Sequence, residues 1–415
     1  MNTKTRIVAV LWFVSLVNYL DRVAISFAGP SITASMSLSP AQFGIVLSSF
    51  GVGYALALIP GGLFTDRIGV RPMLVIGPLF WALFTGLTGL VSSIAAFLVV
   101  RFCFGFSEGA FSSSLYKAVG DKFDPKQRAV TLAICMSALA IGPALAGLLV
   151  GPLVVKFGWQ AMFVFMAVPA LLASMVAYIL FPKHDGRVAP ADLSRGPGKP
   201  LGEELRFREV LKRPSLWLVS LSNLSSDIAQ WDFNGWMPTY LAMERHIDLK
   251  NAGLVGSVPY LAGVFGLLLG GWLGSTTLLH LRRAQMVVVC FLAAGASLFL
   301  AYNAVALPLA VLGLSATSFF MFGALALKGA VVIELAPAPH RAAYFGTYTT
   351  AGQIGGAGAP AIIGFMVMAS GNFASGFALM IGALCVGAVC MIALIPMLAR
   401  HRVAADRNQA VLITQ

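Results

Sequence analysis

Four charged residues stand within otherwise apolar stretches of the sequence and are the first candidates for chemistry. Asp21 and Arg22 lie in the first such stretch, and Arg101 and Glu108 lie in the fourth. The planar fork of an arginine suits a carboxylate, and a carboxyl group in apolar surroundings takes up a proton more readily than in water. The pattern therefore predicts anion binding at Arg22 and proton exchange at Glu108. The alternative is a static network of ion pairs among the four residues.

Helical periodicity places the polar side chains of each stretch on one face. In the first stretch this face carries Ser15, Asn18, Tyr19, Arg22 and Ser26. Asp21 lies about 100° from Arg22 around the helix and should face a neighbouring helix. In the fourth stretch Arg101 and Glu108 share a face and are separated by about 10 Å along the axis. We therefore expect Arg22 on a water-filled face and Glu108 at the middle of its helix.

A second polar stripe occurs in the seventh apolar stretch. Asn223, Asp227, Gln230 and Asn234 recur with helical spacing and should face the same cavity from the other half of the molecule. Asp227 would repel an anion unless it is protonated or paired, and Lys328 in the tenth stretch is the candidate partner. Lys328 itself has two interpretations, a place in the cavity or a side chain that extends to the membrane surface.

The elements that must position these residues are long apolar helices. Hydrophobic residues make up 58% of the 415-residue chain and charged residues only 11%, too few charges to cover a soluble globule. A helix needs about 20 apolar residues to cross the hydrocarbon layer. Such stretches lie near 7–29, 42–63, 73–92, 95–118, 130–153, 160–181, 215–240, 251–274, 284–303, 306–333, 343–369 and 373–397. The predicted fold is an all-α integral membrane protein with twelve transmembrane helices.

The longest polar stretch divides these helices into six and six. We predict an N-terminal six-helix bundle over 1–182, a cytoplasmic linker over 183–213, a C-terminal six-helix bundle over 214–398 and a cytoplasmic tail over 399–415. Two six-helix halves are typical of transporters that arose by duplication.

The net charge of +12 is explained by topology rather than by a nucleic-acid partner. Most of the 28 basic residues fall in loops on one side of the predicted membrane, and such loops are cytoplasmic. We expect a multi-pass protein of the inner, or plasma, membrane, with both termini in the cytoplasm. The lipid bilayer is then its environment and a monomer its expected state.

The loop after the second stretch carries the most specific motif. Residues 62–71 read G-L-F-T-D-R-I-G-V-R and resemble the signature of the major facilitator superfamily between its second and third helices. The candidate gating residues are Gly62, Asp66, Arg67, Gly69 and Arg71. The resemblance implies two six-helix bundles and a cluster that latches them together in the outward-open state. The alternative is a charged loop that only sets the topology.

A second resemblance is narrower. N-Y-L-D-R at 18–22, together with R-F-C-F-G-F-S-E-G at 101–109, resembles the anion:cation symporter family of that superfamily. This resemblance implies that Arg22 holds the substrate carboxylate and that Asp21 and Glu108 couple transport to protons. Arg101 matches the arginine of the second motif.

The same resemblance adds further candidate binding residues. Tyr19 matches the tyrosine of N-Y-L-D-R, and Tyr54 occupies a position where these carriers often have a cavity tyrosine. The run 346–356 resembles a family element in which Thr349 and Gln353 replace two asparagines. The remaining candidates for substrate contact are Gln230, Asn234 and Lys328, with Asp227 as a further proton-coupling residue.

The predicted function is secondary active transport, with proton-coupled uptake of an organic anion such as a sugar acid, aromatic acid or hydroxy acid. The alternative is a proton-antiport exporter of a drug or metabolite, which the Gly-Pro element at 142–147 favours. No cofactor is expected, since the proton gradient supplies the energy. An enzyme is not expected because the histidines lie in loops or at helix ends, away from any nucleophile or metal-ligand set.

Overall fold

The computed structural model describes residues 2–123, 125–182, 211–275, 282–336 and 341–413, and these form helices without a strand. The helices are α1 (Thr3–Ser35), α2 (Pro40–Ile68), α3 (Val70–Thr88), α4 (Ile94–Lys122), α5 (125–157), α6 (159–180), α7 (Pro214–Met243), α8 (Leu249–Ser275), α9 (Arg283–Asn303), α10 (Leu307–Leu335), α11 (Arg341–Ser370) and α12 (Ala374–Ile413). The helices α5 and α6 meet at Gly158, whose φ of 81° is readily adopted by glycine. The prediction of twelve helices is confirmed.

Ten helical segments within the described residues are long and apolar enough to cross a membrane. One of them, Val130–Leu180, contains both α5 and α6. The helix α7 is outside the ten because it carries the polar stripe that begins at Asn223. A helix with such a stripe is stable in a membrane when the polar face points into the protein.

Each half of the molecule has its own set of helix pairs. In the first half α1 packs on α5, α2 on α4, and α3 on α6, where the Ser174 hydroxyl donates to the carbonyl oxygen of Val75 at 2.8 Å. In the second half α7 packs on α11 and α12, α8 on α10, and α9 on α10 and α12. Gly142 allows the close α1–α5 contact, because a Cβ there would lie 2.8 Å from the Cβ of Tyr19. The Gly-Pro element therefore has a packing role.

The halves touch through α2 and α11, α5 and α8, and α1 and α7. The hydroxyl of Ser48 on α2 accepts from the backbone N–H of Ala361 on α11 at 3.0 Å. A Cβ on Gly147 of α5 would lie 2.6 Å from the carbonyl oxygen of Gly253 on α8. These contacts lie toward the end of the bundle that carries the α1–α2 turn at 36–39, which we call the turn end. We call the opposite end, where α1 begins, the terminal end.

The predicted gating loop joins α2 to α3 at the terminal end. Gly69, with a φ of 91°, is the joint between the two helices. The guanidinium of Arg71 donates to the carbonyl oxygens of Tyr178 at 2.7 Å and Phe181 at 3.3 Å, which ties the loop to the end of α6. Arg67 is exposed and Gly62 half-buried, whereas the side chain of Asp66 lies outside the described part of the structure. The latching role of this loop stays a prediction.

The predicted linker lies almost entirely outside the described residues, which resume at residue 211. The cytoplasmic tail over 399–415 stays a prediction, and in the structure α12 continues through most of it to Ile413. Alanine, arginine and glutamine are abundant in this segment and are strong helix formers. The helix therefore continues beyond the apolar stretch that predicted it.

Candidate functional site

A cavity of about 110 Å³ lies between the halves. The first half contributes α1, α2, α4 and α5 to its wall, and the second half contributes α7 and α11. Its lining residues are Tyr19, Arg22, Val23, Ile25, Ser26, Leu47, Phe50, Arg101, Leu139, Pro143, Gln230, Trp231, Asn234, Gly235 and Pro360. The cavity therefore contains five of the side chains that the sequence nominates, namely Tyr19, Arg22, Arg101, Gln230 and Asn234.

Arg22 is bound to Glu108 across the α1–α4 interface. Its Nε and Nη2 both donate to Oε2 of Glu108, at 2.9 and 2.7 Å. The side chain of Glu108 is fully buried, while that of Arg22 is 18% exposed and reaches the cavity. Hydrogen bonds between ionised groups at such distances are strong. The guanidinium fork that the sequence assigns to an anion is therefore held by a carboxylate of the protein itself.

Aromatic rings surround the same guanidinium. The central carbon of Arg22 lies 5.0 Å from the ring centre of Tyr19, 5.2 Å from that of Phe50 and 4.7 Å from that of Tyr54. The central carbon of Arg101 lies 5.1 Å from the ring centre of Phe50. Aromatic faces attract cations, most strongly where water is excluded. Tyr54 thus contributes to the site through Arg22 rather than through the cavity wall.

Asp21 lies behind Arg22 and away from the cavity wall. It is buried, its nearest charged groups are Glu108 and Arg101, and the Thr85 hydroxyl of α3 faces it. This placement toward a neighbouring helix agrees with the offset expected from helical periodicity. Asp21, Arg22, Arg101 and Glu108 therefore form one buried cluster of two acidic and two basic side chains.

The polar stripe of α7 divides into two parts. The amide of Gln230 donates to the side-chain oxygen of Asn234 at 3.3 Å, and both residues line the cavity. Asn223 and Asp227 instead face Lys328 on α10. The Lys328 ammonium donates to Oδ1 of Asn223 at 2.9 Å and to the Ser226 hydroxyl, and lies 4.0 Å from Oδ1 of Asp227.

Lys328 is buried in the interior of the second half rather than extended to the membrane surface. It lines a separate, smaller cavity of about 30 Å³ together with Asp227. Gln230 borders both cavities. The predicted pairing of Lys328 with Asp227 is thus present, one helical turn away from the main cavity.

Thr349 and Gln353 of α11 are not part of the cavity wall in this conformation. The hydroxyl of Thr349 donates to the carbonyl oxygen of Phe345 on its own helix at 2.9 Å. The contribution of α11 to the wall is Pro360, about 10 Å along the helix from Gln353. Both residues lie closer to the terminal end than the cavity does.

Two aromatic residues of the wall were missed by sequence reasoning. Phe50 of α2 and Trp231 of α7 come from opposite halves, and their ring centres are 6.0 Å apart. Trp231 also lies 6.3 Å from Tyr54 and packs on Gly356 of α11. The only signal in the sequence is the position of Trp231 directly beside Gln230 in the polar stripe.

Comparison with known proteins decides the family. The family model described as "Major Facilitator Superfamily" matches residues 11–357. The chain belongs to the Major Facilitator Superfamily. Members are transporters, so the chain is a multi-pass membrane transporter and not an enzyme, as the loop signature and the six-plus-six pattern predict.

Two curated relatives and one solved structure illustrate the similarity. The hexuronate transporter of Bacillus subtilis (strain 168) is 28% identical over 392 residues, which cover 91% of each chain. A probable galactarate/D-glucarate transporter of Escherichia coli (strain K12) is 29% identical over 398 residues, 88% of this chain and 89% of the relative. A bacterial homologue of the human lysosomal transporter Spinster, in an inward-facing and unoccupied conformation, superimposes with a TM-score of 0.71. It is 18% identical, and the match covers 97% of this chain and 96% of that chain. Both relatives are named as transporters of sugar acids, which is consistent with the resemblance to organic-anion carriers. The solved structure shows that the chain has the same fold as that transporter.

Proposed function

We propose that this transporter takes up an organic anion together with protons. The observation that carries the proposal is the fork of Arg22, which reaches a cavity between the two halves while Glu108 occupies its N–H groups. A substrate carboxylate that binds the same edge of the guanidinium competes with Glu108 for these N–H groups. Protonation of Glu108 would weaken its hold on Arg22 and make the fork available, so that proton and anion bind together.

Charge balance in the buried cluster supports the same coupling. Asp21 and Glu108 carry two negative charges and Arg22 and Arg101 two positive charges, so the ionised cluster is neutral. An anion that enters adds a negative charge to a site of low dielectric constant, which is unfavourable. One proton on Glu108 or Asp21 restores neutrality. Anion and proton therefore stabilise each other in the site, and the gradient of one drives the other.

Alternating access follows from the two halves. We propose that 1–182 and 214–398 rock about the cavity as units. The contacts between α5 and α8 and between α2 and α11 close the turn end. We propose that the terminal end, with both chain termini, lies in the cytoplasm, which the distribution of basic residues supports, and that the membrane is the inner membrane. In that orientation the conformation described here faces inward.

The second half would supply polar contacts that determine how tightly the substrate binds. Gln230 and Asn234 face the cavity and can exchange their mutual hydrogen bond for one to substrate. The Asp227–Lys328 pair would act as a second proton and anion site that opens when Asp227 is protonated. Thr349 and Gln353 would reach substrate only after the halves have rocked. A monomer contains all of these groups, and the proton gradient supplies the energy.

Uptake into liposomes that contain the purified full-length chain tests the proposal. Galacturonate, gluconate and 4-hydroxybenzoate serve as labelled probes, and an inward proton gradient is imposed or omitted. The gradient should drive accumulation of at least one of these acids by the wild type. Arg22→Ala should abolish it, and Arg22→Lys, which keeps the charge but loses the fork, should not restore it. Gradient-driven accumulation of an anion by Arg22→Ala would contradict the proposal, and extrusion rather than uptake would favour the antiport alternative.

A further inference from the structure

The cavity wall is mostly apolar and aromatic. Apart from the two arginines, its hydrogen-bonding side chains are those of Tyr19, Ser26, Gln230, Trp231 and Asn234. The remaining wall consists of apolar side chains, glycine and proline, contributed by Val23, Ile25, Leu47, Phe50, Leu139, Pro143, Gly235 and Pro360. Such a wall offers an anion site at the arginines and apolar or aromatic surface over much of the remainder.

This composition disfavours a polyhydroxylated acid. Each hydroxyl group carries a donor and acceptor positions, and burying one without a partner weakens binding. Gln230 and Asn234 are the two amides of the wall, and their groups can satisfy only the hydroxyls that lie beside them. A sugar acid would place hydroxyls on every side of its ring or chain, several of them against the apolar wall.

We propose that this site binds a monocarboxylate whose carbon skeleton is planar and apolar, such as an aromatic or heteroaromatic acid. We further propose that Trp231 gives the site its preference for such an acid. The inference rests on the proposed function, because it assigns the carboxylate to Arg22. Trp231 and Phe50 bring ring faces from opposite halves to the same point, 6.0 Å apart. A flat ring whose carboxylate is on Arg22 lies against these aromatic side chains and gains stacking contacts.

The placement of Trp231 also connects recognition to the halves. Arg22 belongs to the first half and Trp231 to the second, so an acid that contacts both bridges them. A carboxylate without a ring makes no stacking contact with Trp231 and therefore gains less from the second half. Trp231 is therefore a specificity-determining residue rather than a general support of the fold.

Isothermal titration of the purified full-length chain in detergent, at mildly acid pH, tests the inference. Benzoate and glucuronate are the matched probes, and direct binding avoids the passive permeation of benzoic acid through liposomes. Benzoate should bind at least about tenfold more tightly than glucuronate, a difference of about 1.4 kcal/mol. Trp231→Phe should retain benzoate binding, and Trp231→Leu should weaken it by about two- to tenfold.

A control and three contrary results complete the design. Trp217→Leu removes a tryptophan from the exposed side of the same helix and should leave benzoate binding unchanged. If glucuronate binds as tightly as benzoate and both require Arg22, the inference is wrong and the proposed function stands. If binding of neither acid changes in Arg22→Ala, the proposed function fails and the inference fails with it. Equal loss of both acids in Trp231→Leu would assign Trp231 a structural role and also overturn the inference.

Discussion

Replacing Glu108 with glutamine removes the negative charge that holds Arg22 but keeps a carbonyl oxygen in nearly the same place. In the structure, Nε and Nη2 of Arg22 both donate to Oε2 of Glu108, at 2.9 and 2.7 Å. In the proposed function, a substrate carboxylate competes with this oxygen for the Nε–Nη2 edge of Arg22. The variant therefore weakens the protein group that competes with substrate for Arg22 but does not remove it.

The expected magnitude follows from those two hydrogen bonds. A hydrogen bond to a charged group contributes about 1.5–3 kcal/mol, and a neutral one about 0.5–1.5 kcal/mol. Because both donors share one acceptor oxygen, we count the difference between a charged and a neutral hydrogen bond only once, at about 1.4 kcal/mol. Anion affinity at alkaline pH, where the wild-type carboxylate is ionised, should rise about tenfold in Glu108→Gln. At acid pH the wild type approaches the variant, so the pH dependence of binding should flatten.

Titration of benzoate or galacturonate into wild type and Glu108→Gln over a range of pH measures this change. In liposomes the variant should exchange labelled for unlabelled anion but lose accumulation driven by a proton gradient. Glu334→Gln is a matched control, since Glu334 lies on α10 near the terminal end, 3.9 Å from Arg283 and away from the cavity. It should keep the wild-type pH dependence.

A clear result would refute this reasoning. If Glu108→Gln binds anion with the wild-type pH dependence and still accumulates it against a gradient, Glu108 is not the competitor. Arg22 and Glu108 would then form a static ion pair, the alternative that the sequence leaves open.

Two further predictions concern the contacts between and within the halves. Gly253→Ala on α8 would place a Cβ 2.5 Å from the carbonyl oxygen of Gly147, which should push α5 and α8 apart and open the turn end. Cysteines introduced on α5 and α8 should then form a cross-link more slowly. Gly271→Ala on the same helix, where a Cβ meets nothing within 4 Å, should not change the rate, and equal effects of the two variants would contradict the prediction. Lys328→Met leaves the carboxylate of Asp227 unpaired in the interior and should destabilise the protein by about 3–5 kcal/mol, measured as a lower Tm in detergent. Adding Asp227→Asn should recover most of the loss, and no recovery would show that the pair is not the cause.

The charged residues of the first half could be predicted because they are rare in their context. A charge inside an apolar helix is unfavourable unless it has a role, which singled out Asp21, Arg22, Arg101 and Glu108. Helical periodicity then placed Arg22 on the polar face and Asp21 toward a neighbour. The structure agrees with both placements, since Arg22 reaches the cavity and Asp21 is buried behind it.

The aromatic wall could not be predicted in the same way. Phenylalanine and tryptophan are common in apolar helices, so Phe50 and Trp231 do not stand out in sequence. Likewise, the spacing of Thr349 and Gln353 gives their direction around α11 but not their depth relative to α1. Depth depends on how far neighbouring helices slide and tilt against each other, and close contacts between helices set that offset.

The sequence by itself determined the apolar helices, their division into two halves and the direction of each polar face, because these depend on local composition and the period of one helix. Only the tertiary structure decided that Glu108 occupies the fork of Arg22, that Lys328 is bound within the second half, and that Trp231 reaches across to Phe50. Those contacts join residues far apart in the chain, and the packing of whole helices sets their distances.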